Sequence, residues 1–483
     1  MIRNKGGSCI FHSDCYYVPD RVYGIMIGED TQMDLKGKKV LVFGSGKSGI
    51  GAAELLGQVG ANPIIYDGNA DLDKEAVIHK LPNIKNLEVY AGELPQDVQK
   101  NLDLVVLSPG VPTDLPLVKS FYQQGLSVWG EVELAYRTGK GRVLAITGTN
   151  GKTTTTALLG KIMSDAEKSV FVVGNIGTPY TSKALDMKED SVTVAEISSF
   201  QLETVERFAP EVSAILNITE DHLNRHHTME EYIRVKELIV KNQNPENVCV
   251  LNYEDPVLRE FGKNIVPKTV FFSSDRILDQ GIYLDEDQII LKTEKEEILL
   301  AKTGELKLLG KHNYENVMAA AAMAYYAGVP VESIRRSICQ FTAVEHRIEY
   351  VTEKNGVVYY NDSKGTNPDA AIKGIQAMDR PTWLIAGGYD KGSCYDEWLK
   401  CFDGKVRSLI LIGQTKEKIR DDAERLNVCS CILCEDLEEA VKVCAEKARP
   451  GDAVLLSPAC ASWGQFENYE QRGDMFKKFV NDL

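Results

Sequence analysis

The stretch from Ala145 to Thr154, Ala-Ile-Thr-Gly-Thr-Asn-Gly-Lys-Thr-Thr, places a glycine turn between a strand-like run and a helical pattern that starts near Thr155. The N-terminus of a helix leaves backbone N–H groups unpaired and carries a partial positive charge, which suits a phosphate. Gly148 and Gly151 let the backbone approach closely, while the Lys152 ammonium can reach the outer phosphates and the next residue, a threonine, can bind Mg²⁺. The stretch therefore predicts a nucleoside triphosphate site in an α/β fold.

A simple glycine turn capped by a threonine is the alternative, because Ile146 stands where the common phosphate-loop pattern has its first glycine. A second feature favours the nucleotide site. Glu196 lies near the end of an apolar run, Val192–Ile197, that predicts a buried strand. A buried carboxylate is costly unless it is paired or bound to a cation, and Mg²⁺ beside nucleotide phosphates is the natural partner.

His222 follows another predicted strand end, in Asn217-Ile-Thr-Glu-Asp-His222. An isolated histidine in this position is most simply a capping or surface residue. His222 and His226 also have the i, i+4 spacing of a zinc pair on a helix. Zinc is disfavoured, because the glutamate of the H-E-x-x-H motif and an obvious third ligand are both missing.

A second glycine turn, Gly44-Ser-Gly-Lys-Ser-Gly49, follows the predicted first strand. Asp67 ends the next strand, 18 positions after Gly49. This βαβ pattern is typical of dinucleotide-binding domains, so an NAD-dependent oxidoreductase is one alternative. The same turn suits any pyrophosphate, and an oxidoreductase would leave the phosphate loop and Glu196 without a role.

Alternating strands and helices along the chain predict an α/β fold with three domains, at residues 34–130, 131–343 and 344–483, after a tail of unknown role at 1–33. The middle domain contains a β-rich stretch from Thr269 to Leu309 and an alanine-rich buried helix at Val317–Val329. Polar or glycine-rich turns follow predicted strands in all three domains. Ligands bind beyond the carboxyl ends of such strands, so each domain is expected to contribute one edge of the site.

Composition narrows the class of partner. The chain has 483 residues and a formal net charge of −15, whereas nucleic-acid-binding surfaces are normally basic. Local lysines and glycines can still hold a small anionic substrate within an acidic protein. No run approaches the ~20 apolar residues that a membrane helix needs. We therefore expect neither nucleic acid nor a membrane as a partner.

Several motifs together resemble the Mur ligase family, ATP-dependent enzymes that build the peptide of bacterial cell-wall precursors. Besides the phosphate loop they are Asn361-Asp-Ser-Lys-Gly-Thr-Asn367, Leu456-Ser-Pro-Ala-Cys-Ala-Ser462 and Glu470-Gln-Arg-Gly473. The resemblance is to the branch that adds D-glutamate, and it extends from about Asp34 to the C-terminus. It implies a Rossmann-like N-terminal domain that binds the UDP substrate, a central P-loop ATPase-like domain and a Rossmann-like C-terminal domain that binds the amino acid.

The implied reaction joins D-glutamate to UDP-N-acetylmuramoyl-L-alanine through an acyl phosphate, in peptidoglycan precursor biosynthesis. The implied cofactors are ATP, Mg²⁺ at two sites and a CO₂-derived carbamate on a lysine, in a cytoplasmic enzyme that is expected to be a monomer. A catalytically silent binding protein with the same fold is a further alternative. Such a protein is expected to lack Lys152, Glu196 or His222, and all three are present.

The resemblance assigns roles to individual residues. The implied catalytic residues are Lys152, His222, Lys236 and Lys364. Those that would hold the metal ions are Thr153, Glu196, His222 and Lys236. The implied ATP contacts are Gly148, Thr149, Asn150, Gly151, Lys152, Thr153, Thr154, Asn313, Asn316, Arg347 and Asp362. The implied contacts to the UDP substrate and to D-glutamate are Lys47, Ser48, Ser108, Asn175, Ser198, Thr366, Lys391, Ser462 and Tyr469.

Lys236, in Tyr232-Ile-Arg-Val-Lys236, matches the family lysine that CO₂ carbamylates. The local pattern alone predicts an ordinary surface lysine on a helix. An ammonium ~4 Å from a divalent cation would be repelled by about 8 kcal/mol at an effective dielectric of ~20. Lys236 is therefore either turned away from the metal or converted into an anion, and the resemblance favours the carbamate.

Overall fold

The computed structural model describes residues 34–175, 177–308, 310–342, 344–390 and 392–483, and Leu35–Leu483 form one compact unit. Three β-sheets of five, nine and six strands follow one another along this unit. Helices connect their parallel strands, which confirms the predicted α/β class. The predicted tail at 1–33 lies outside the described residues, and the domain limits at 130 and 343 stay predictions.

The first sheet has five parallel strands in the order β3-β2-β1-β4-β5. The chain changes direction across the sheet between β1 and β4, and ligands of such sheets bind in the crevice at that point. Its strands are Lys39–Phe43 (β1), Asn62–Asp67 (β2), Glu88–Ala91 (β3), Leu104–Leu107 (β4) and Ser127–Gly130 (β5). Its helices are Lys47–Gln58 (α1), Lys74–His79 (α2), Gln96–Lys100 (α3) and Pro116–Gln123 (α4).

The second sheet has nine strands in the order β14-β13-β12-β11-β10-β9-β6-β8-β7, of which β13 and β14 form an antiparallel extension. The predicted β-rich stretch is thereby confirmed. The strands are Arg142–Thr147 (β6), Val170–Gly174 (β7), Val192–Glu196 (β8), Val212–Ile215 (β9), Val248–Asn252 (β10), Lys268–Ser273 (β11), Gly281–Asp285 (β12), Gln288–Lys292 (β13) and Glu297–Lys302 (β14). The helices are Glu131–Thr138 (α5), Lys152–Ala166 (α6), Ser199–Leu202 (α7), Leu223–His226 (α8), Met229–Glu237 (α9), Pro256–Phe261 (α10), Lys311–Tyr326 (α11) and Val331–Gln340 (α12).

Strand β6 lies between β8 and β9, and all three run parallel. Ile146 pairs with Glu196 on one side, and Thr147 pairs with Ile215 on the other. The carboxyl ends of these strands therefore meet at one sheet edge, where the phosphate loop begins. Helix α11 packs on α6 through its buried, alanine-rich run, which confirms the predicted buried helix.

The third sheet has six strands in the order β15-β16-β20-β17-β18-β19, and only the edge strand β15 is antiparallel to its neighbour. The strands are Glu349–Lys354 (β15), Val357–Asn361 (β16), Thr382–Gly387 (β17), Val406–Ile412 (β18), Ser430–Leu433 (β19) and Ala453–Leu456 (β20). The helices are Pro368–Gln376 (α13), Asp396–Lys400 (α14), Lys416–Leu426 (α15), Leu437–Lys447 (α16) and Tyr469–Asn481 (α17). Within the described ranges, no helix is long and apolar enough to cross a membrane.

Candidate active site

The turn between β6 and α6 contains two glycines with positive φ, 147° at Gly148 and 84° at Gly151. A Cβ on Gly151 would lie 2.3 Å from Oδ1 of Asn316, so a larger residue does not fit there. Helix α6 begins directly after the turn, at Lys152, three residues earlier than the sequence pattern indicates. The turn therefore delivers the positive end of a fifteen-residue helix to the sheet edge, as an anion site requires.

Asn217, two residues after the end of β9, fixes this loop from the side. The Asn150 backbone N–H donates to Oδ1 of Asn217 over 2.8 Å, and Nδ2 of Asn217 donates to the Asn150 carbonyl over 3.1 Å. The Thr149 hydroxyl lies 3.1 Å from the Tyr232 hydroxyl. The sequence did not indicate Tyr232. The available signal was its i, i+4 spacing from Lys236, which places both side chains on one helix face.

Two lysines converge on the loop. Nζ of Lys152 donates to the carbonyls of Gly148 and Thr149, over 2.9 and 2.8 Å. Nζ of Lys236 donates to the same Gly148 carbonyl over 2.9 Å. The Lys236 side chain is buried, so the surface position that the local pattern predicts is wrong. The Lys152 ammonium, and the Lys236 side chain when it is protonated, place positive charge at the loop.

Burial governs the protonation of both lysines. It lowers the pKa of Lys152, although the nearby Glu196 and Asp221 carboxylates oppose this change. Burial, followed by repulsion from the Lys152 ammonium, lowers the pKa of Lys236 to about 7. An appreciable fraction of Lys236 is therefore a neutral amine near neutral pH.

Glu196 ends β8 with its side chain buried at the same sheet edge. Its Oε1 accepts a hydrogen bond from Nδ2 of Asn175 over 2.9 Å. Its Oε2 is buried and has no hydrogen-bond partner among the residues that the structure describes. Such an oxygen is stabilised by a cation. Together with the Thr153 hydroxyl, in the first turn of α6, it offers the hard oxygen ligands that Mg²⁺ prefers.

His222 stands before α8 with a left-handed backbone, φ 54°. Its ring packs on Phe200 with centroids 4.9 Å apart, and its Nε2 lies 3.4 Å from the Asp221 carboxylate. The buried His226 has its Nε2 3.0 Å from the Ser199 hydroxyl and its Nδ1 3.5 Å from Glu203. Because both ring nitrogens of His226 are engaged, the zinc pair considered from the sequence is not formed.

The sequence-predicted site residue Ser198 is the N-cap of helix α7, which follows β8 after two residues. Its backbone N–H donates to Oε1 of Gln201 over 2.9 Å, while its hydroxyl accepts from the Gln201 N–H. This capping box fixes the chain two residues beyond Glu196. Ser198 is thereby held beside the candidate metal site.

The flank of α6 contacts α11. The Thr155 hydroxyl donates to Oδ1 of Asn316 over 3.2 Å, and Nδ2 of Asn316 lies 3.2 Å from Oδ1 of Asn313. Both asparagines are buried in the first turns of α11. They therefore lie beside the phosphate-loop helix, in a place where a nucleotide contact is possible.

The third domain contributes Asp362, which follows β16, and Arg347. The buried Asp362 carboxylate accepts a hydrogen bond from the Ser457 hydroxyl over 2.7 Å. Nε of Arg347 is buried and lacks a hydrogen-bond partner within the described part of the chain. The two residues on either side of Arg347 have positive φ, 64° at His346 and 48° at Ile348. A side chain held by such a backbone, with a free buried N–H, is positioned for a ligand.

Burial raises the pKa of the Asp362 carboxyl to about 7, although Ser457 and Arg347 favour its charged form. The folded protein then binds more protons at this group than the unfolded chain, so the group costs stability as the pH rises from about 4 to 7. We expect Asp362→Asn to gain about 2 kcal/mol of unfolding free energy relative to the unmodified protein between pH 5 and pH 8. Denaturant unfolding at both pH values measures the difference.

Asp369→Asn replaces an exposed residue in the first turn of α13 and is the control for this prediction. Its unfolding free energy should change between pH 5 and pH 8 as that of the unmodified protein does. Parallel pH profiles for Asp362→Asn and the unmodified protein would contradict it.

Two other predicted residues of the third domain, Lys364 and Tyr469, lie near each other. Nζ of Lys364 is 5.7 Å from the centroid of the Tyr469 ring. Burial and then Arg347 lower the pKa of Lys364, whereas Glu196 of the central domain raises it, so these groups lie within electrostatic reach of one another. Ser462 is buried and Thr366 is partly buried. Lys391 lies outside the described part of the chain.

The glycine turn of the first domain lies at the crevice between β1 and β4. Lys47 begins α1 and is exposed, and Ser48 is half-buried. The Ser108 hydroxyl, at the end of β4, donates to the Gly44 carbonyl over 3.2 Å. The glycine turn and the end of β4 are therefore in contact, and the substrate contacts assigned to Lys47, Ser48 and Ser108 stay predictions.

Asp67 does not behave as a dinucleotide-binding acid would. Its Oδ2 accepts hydrogen bonds from the hydroxyl and the backbone N–H of Ser45, over 2.6 and 3.0 Å. The carboxylate therefore braces the glycine turn itself and is not held ready for a ribose hydroxyl. This geometry disfavours the oxidoreductase alternative.

Comparison with known proteins gives a consistent result. Residues 38–130 match the Mur ligase MurD-like N-terminal domain, 146–324 the Mur ligase middle domain and 346–460 the Mur ligase glutamate ligase domain. Over 93% of its length the chain is 56% identical to the UDP-N-acetylmuramoylalanine–D-glutamate ligase of Lachnoclostridium phytofermentans, of which it covers 99%. The protein of the same name from Lachnospira eligens is 54% identical, and the match covers 93% of this chain and 100% of that protein.

A solved structure of UDP-N-acetylmuramate–alanine ligase from Thermotoga maritima superimposes with a TM-score of 0.56. It is 18% identical, and the match covers 92% of this chain and 99% of that one. At this identity the likeness concerns the fold alone.

Proposed function

The chain belongs to the Mur ligase family, and we propose that it joins D-glutamate to UDP-N-acetylmuramoyl-L-alanine at the expense of ATP. The observation that carries the proposal is the phosphate loop, where the partly buried Lys152 and the buried Lys236 converge on the Gly148 carbonyl. The buried Oε2 of Glu196, without a hydrogen-bond partner among the described residues, ends the adjacent strand. This arrangement suits a nucleoside triphosphate and a cation. An amide ligase needs both in order to activate a carboxylate.

ATP would bind with its phosphates on the loop and its nucleoside between the second and third domains. Gly148 to Thr154 would surround the phosphates with backbone N–H groups and the Lys152 ammonium. Further contacts would come from two buried asparagines of α11 and from the third domain, namely Asn313, Asn316, Arg347 and Asp362. Arg347 supports this arrangement, because its buried Nε is available to a ligand.

The buried Oε2 of Glu196, which has no hydrogen-bond partner within the described ranges, supports one Mg²⁺ site, and the family resemblance implies a second. Thr153 and Glu196 would hold the first through oxygen atoms. His222 and a carbamylated Lys236 would hold the second. Bound Mg²⁺ would neutralise charge on the phosphates during phosphoryl transfer.

Three groups of side chains would hold the other substrates. The nucleotide end of the UDP substrate would lie in the crevice of the first domain, at Lys47, Ser48 and Ser108. Asn175 and Ser198 would contact it in the central domain. D-glutamate and the reacting carboxylate would be oriented from the third domain by Lys364, Thr366, Lys391, Ser462 and Tyr469.

The reaction proceeds in two steps. An oxygen of the alanyl carboxylate attacks the γ-phosphorus of ATP, the bond from phosphorus to ADP breaks, and an acyl phosphate forms. The amine of D-glutamate then attacks the carbonyl carbon and loses a proton, and inorganic phosphate leaves with the former carboxylate oxygen. Lys152 and Lys364 offset the negative charge that gathers on the transferred group.

Phosphate release in the presence of ATP, Mg²⁺ and UDP-N-acetylmuramoyl-L-alanine tests the proposal. D-glutamate, L-glutamate, L-lysine and diaminopimelate are added in turn. We expect release with D-glutamate alone, together with a product that is heavier by one glutamyl residue. Release with another amino acid would keep the mechanism and refute the specificity, and no release with any of them would refute the proposed function.

We propose that the enzyme acts as a monomer, as the family resemblance implies. The use of ATP supports action in the cytoplasm. The acidic composition supports a function without a nucleic-acid partner, and we propose no membrane partner. Sedimentation of the purified protein alone and with its substrates would test the monomer.

A further inference from the structure

A largely buried ion pair lies where the first domain meets the central domain. Arg225 donates from Nη2 to Oε2 of Glu203 over 2.6 Å and from Nε to Oε1 over 3.1 Å. The two side chains are only 12% and 8% exposed. Neither residue belongs to the site described above. A bidentate pair at this depth has a well-defined geometry, and removing one partner leaves a buried charge unpaired.

The same two side chains hold the loop that follows β4. Arg225 also donates from Nη2 to the Val111 carbonyl over 2.9 Å, and the Thr113 hydroxyl donates to Oε2 of Glu203 over 3.1 Å. This loop starts at Ser108, which closes the crevice of the first domain. Each partner of the ion pair thus makes one bond to the loop that would bind the nucleotide end of the substrate.

On its other side the pair supports the turn that carries His222. Arg225 lies three residues after His222, and its guanidinium carbon is 5.2 Å from the centroid of the Phe200 ring. The His222 ring packs on the same Phe200 ring. His226, one residue further, places Nδ1 3.5 Å from Oε1 of Glu203. The turn before α8 is therefore braced by Glu203 and Phe200 together.

A narrow crevice opens beside the pair. Its lining residues come from the end of β4 and the loop after it, from the junction of β5 and α5, and from α7 and the residues that follow it. They include Ser108, Val111, Thr113, Phe200, Gln201 and Thr204. The ion pair thus joins two walls of one crevice that opens beside Ser108.

We infer that Glu203 and Arg225 form a positioning latch that sets the loop after β4 and the His222 turn in one fixed relation. A substrate whose nucleotide end binds at that loop is thereby aligned with the metal-binding turn. Neither side chain needs to touch the reacting atoms. The inference rests on the proposed function, because it assigns the nucleotide-sugar substrate to this crevice.

Kinetics of Glu203→Gln and of Arg225→Lys test the latch. Glutamine keeps the shape and removes the charge, whereas lysine keeps the charge but cannot bond to Glu203 in a bidentate manner and to Val111 at once. We expect each variant to raise KM for the UDP substrate, and its Kd measured by calorimetry, about tenfold or more. The Mg²⁺ concentration for half-maximal activity should rise several-fold, and KM for ATP should change less than twofold.

The matched control is the exposed pair on the next helix, where Arg234 donates to Glu231 over 2.8 and 2.6 Å. Glu231→Gln should leave all these constants unchanged. A merely structural role predicts a common loss of activity and thermal stability, without a selective rise in the KM for the UDP substrate. That result, or unchanged constants in both latch variants, would overturn the inference. If the unmodified protein released no phosphate on addition of D-glutamate, the proposed function would fail instead.

Discussion

Replacing Lys152 with alanine is expected to lower kcat by about 10³-fold, with a smaller loss of ATP affinity. The Lys152 ammonium lies over the carbonyls of Gly148 and Thr149, at the start of the helix that receives the phosphates. Charge on the transferred phosphoryl group is spread over its oxygens in the transition state, and a fixed ammonium in a water-poor site stabilises it strongly. Steady-state phosphate release and calorimetric ATP binding separate the two effects.

Lys161→Ala is the matched control for this substitution. Lys161 lies on the same helix, α6, and is partly exposed, with an ion pair to Asp165 at 2.6 Å. The Lys161→Ala enzyme should retain full activity, and the Lys152→Ala and Lys161→Ala enzymes should unfold at similar temperatures. A Lys152→Ala enzyme with kcat within threefold of the unmodified enzyme would show that another group neutralises the transferred phosphate.

The second large effect concerns the carbamate. We expect Lys236→Ala to lower kcat at least about 10²-fold, because the site would lose an anionic metal ligand. With a pKa of about 7, roughly half of the Lys236 side chains are neutral amines at neutral pH. An ordinary lysine offers only about one neutral amine in several thousand. Carbamylation by CO₂ consumes the neutral amine, so the reaction is favoured at this position.

Protein equilibrated with ¹³C-labelled CO₂ should show a carbamate signal in its ¹³C spectrum, and Lys236→Ala should lack that signal. Lys241→Ala is the control, because Lys241 also donates to a backbone carbonyl, that of Val205, over 2.9 Å. Activity should fall when CO₂ is removed and recover when it is restored. Full activity without CO₂, with no carbamate signal, would contradict the assignment.

Local chemistry explains why part of the site was predictable. Gly148, Gly151 and Lys152 lie within five residues, so the turn and the helix after it follow from the sequence alone, although the helix begins three residues earlier than the pattern indicates. Glu196 was predictable too, because a carboxylate at the end of an apolar strand reaches the same sheet edge. The fold class followed from the alternation of strands and helices.

Contacts between distant segments could not be predicted in the same way. Lys236 bonds to a carbonyl 88 positions away, and its helix reads as an ordinary amphipathic run, so only the fold shows that it is buried. The same holds for Asp67, whose carboxylate braces Ser45 although its spacing is typical of a dinucleotide-binding acid. The Glu203–Arg225 pair also depends on tertiary packing, because Arg225 donates as well to the carbonyl of Val111, which follows a strand of the first sheet.

Oxygen transfer tests most directly that this chain forms an amide through an acyl phosphate. UDP-N-acetylmuramoyl-L-alanine labelled with ¹⁸O in both carboxylate oxygens is incubated with ATP, Mg²⁺ and D-glutamate. The masses of the released phosphate and of the product are then measured by mass spectrometry. The mechanism predicts one ¹⁸O in each released phosphate and one ¹⁸O in the new amide carbonyl. Unlabelled phosphate, with both labels kept in the unreacted substrate, would show that water receives the phosphoryl group and would contradict the ligase mechanism.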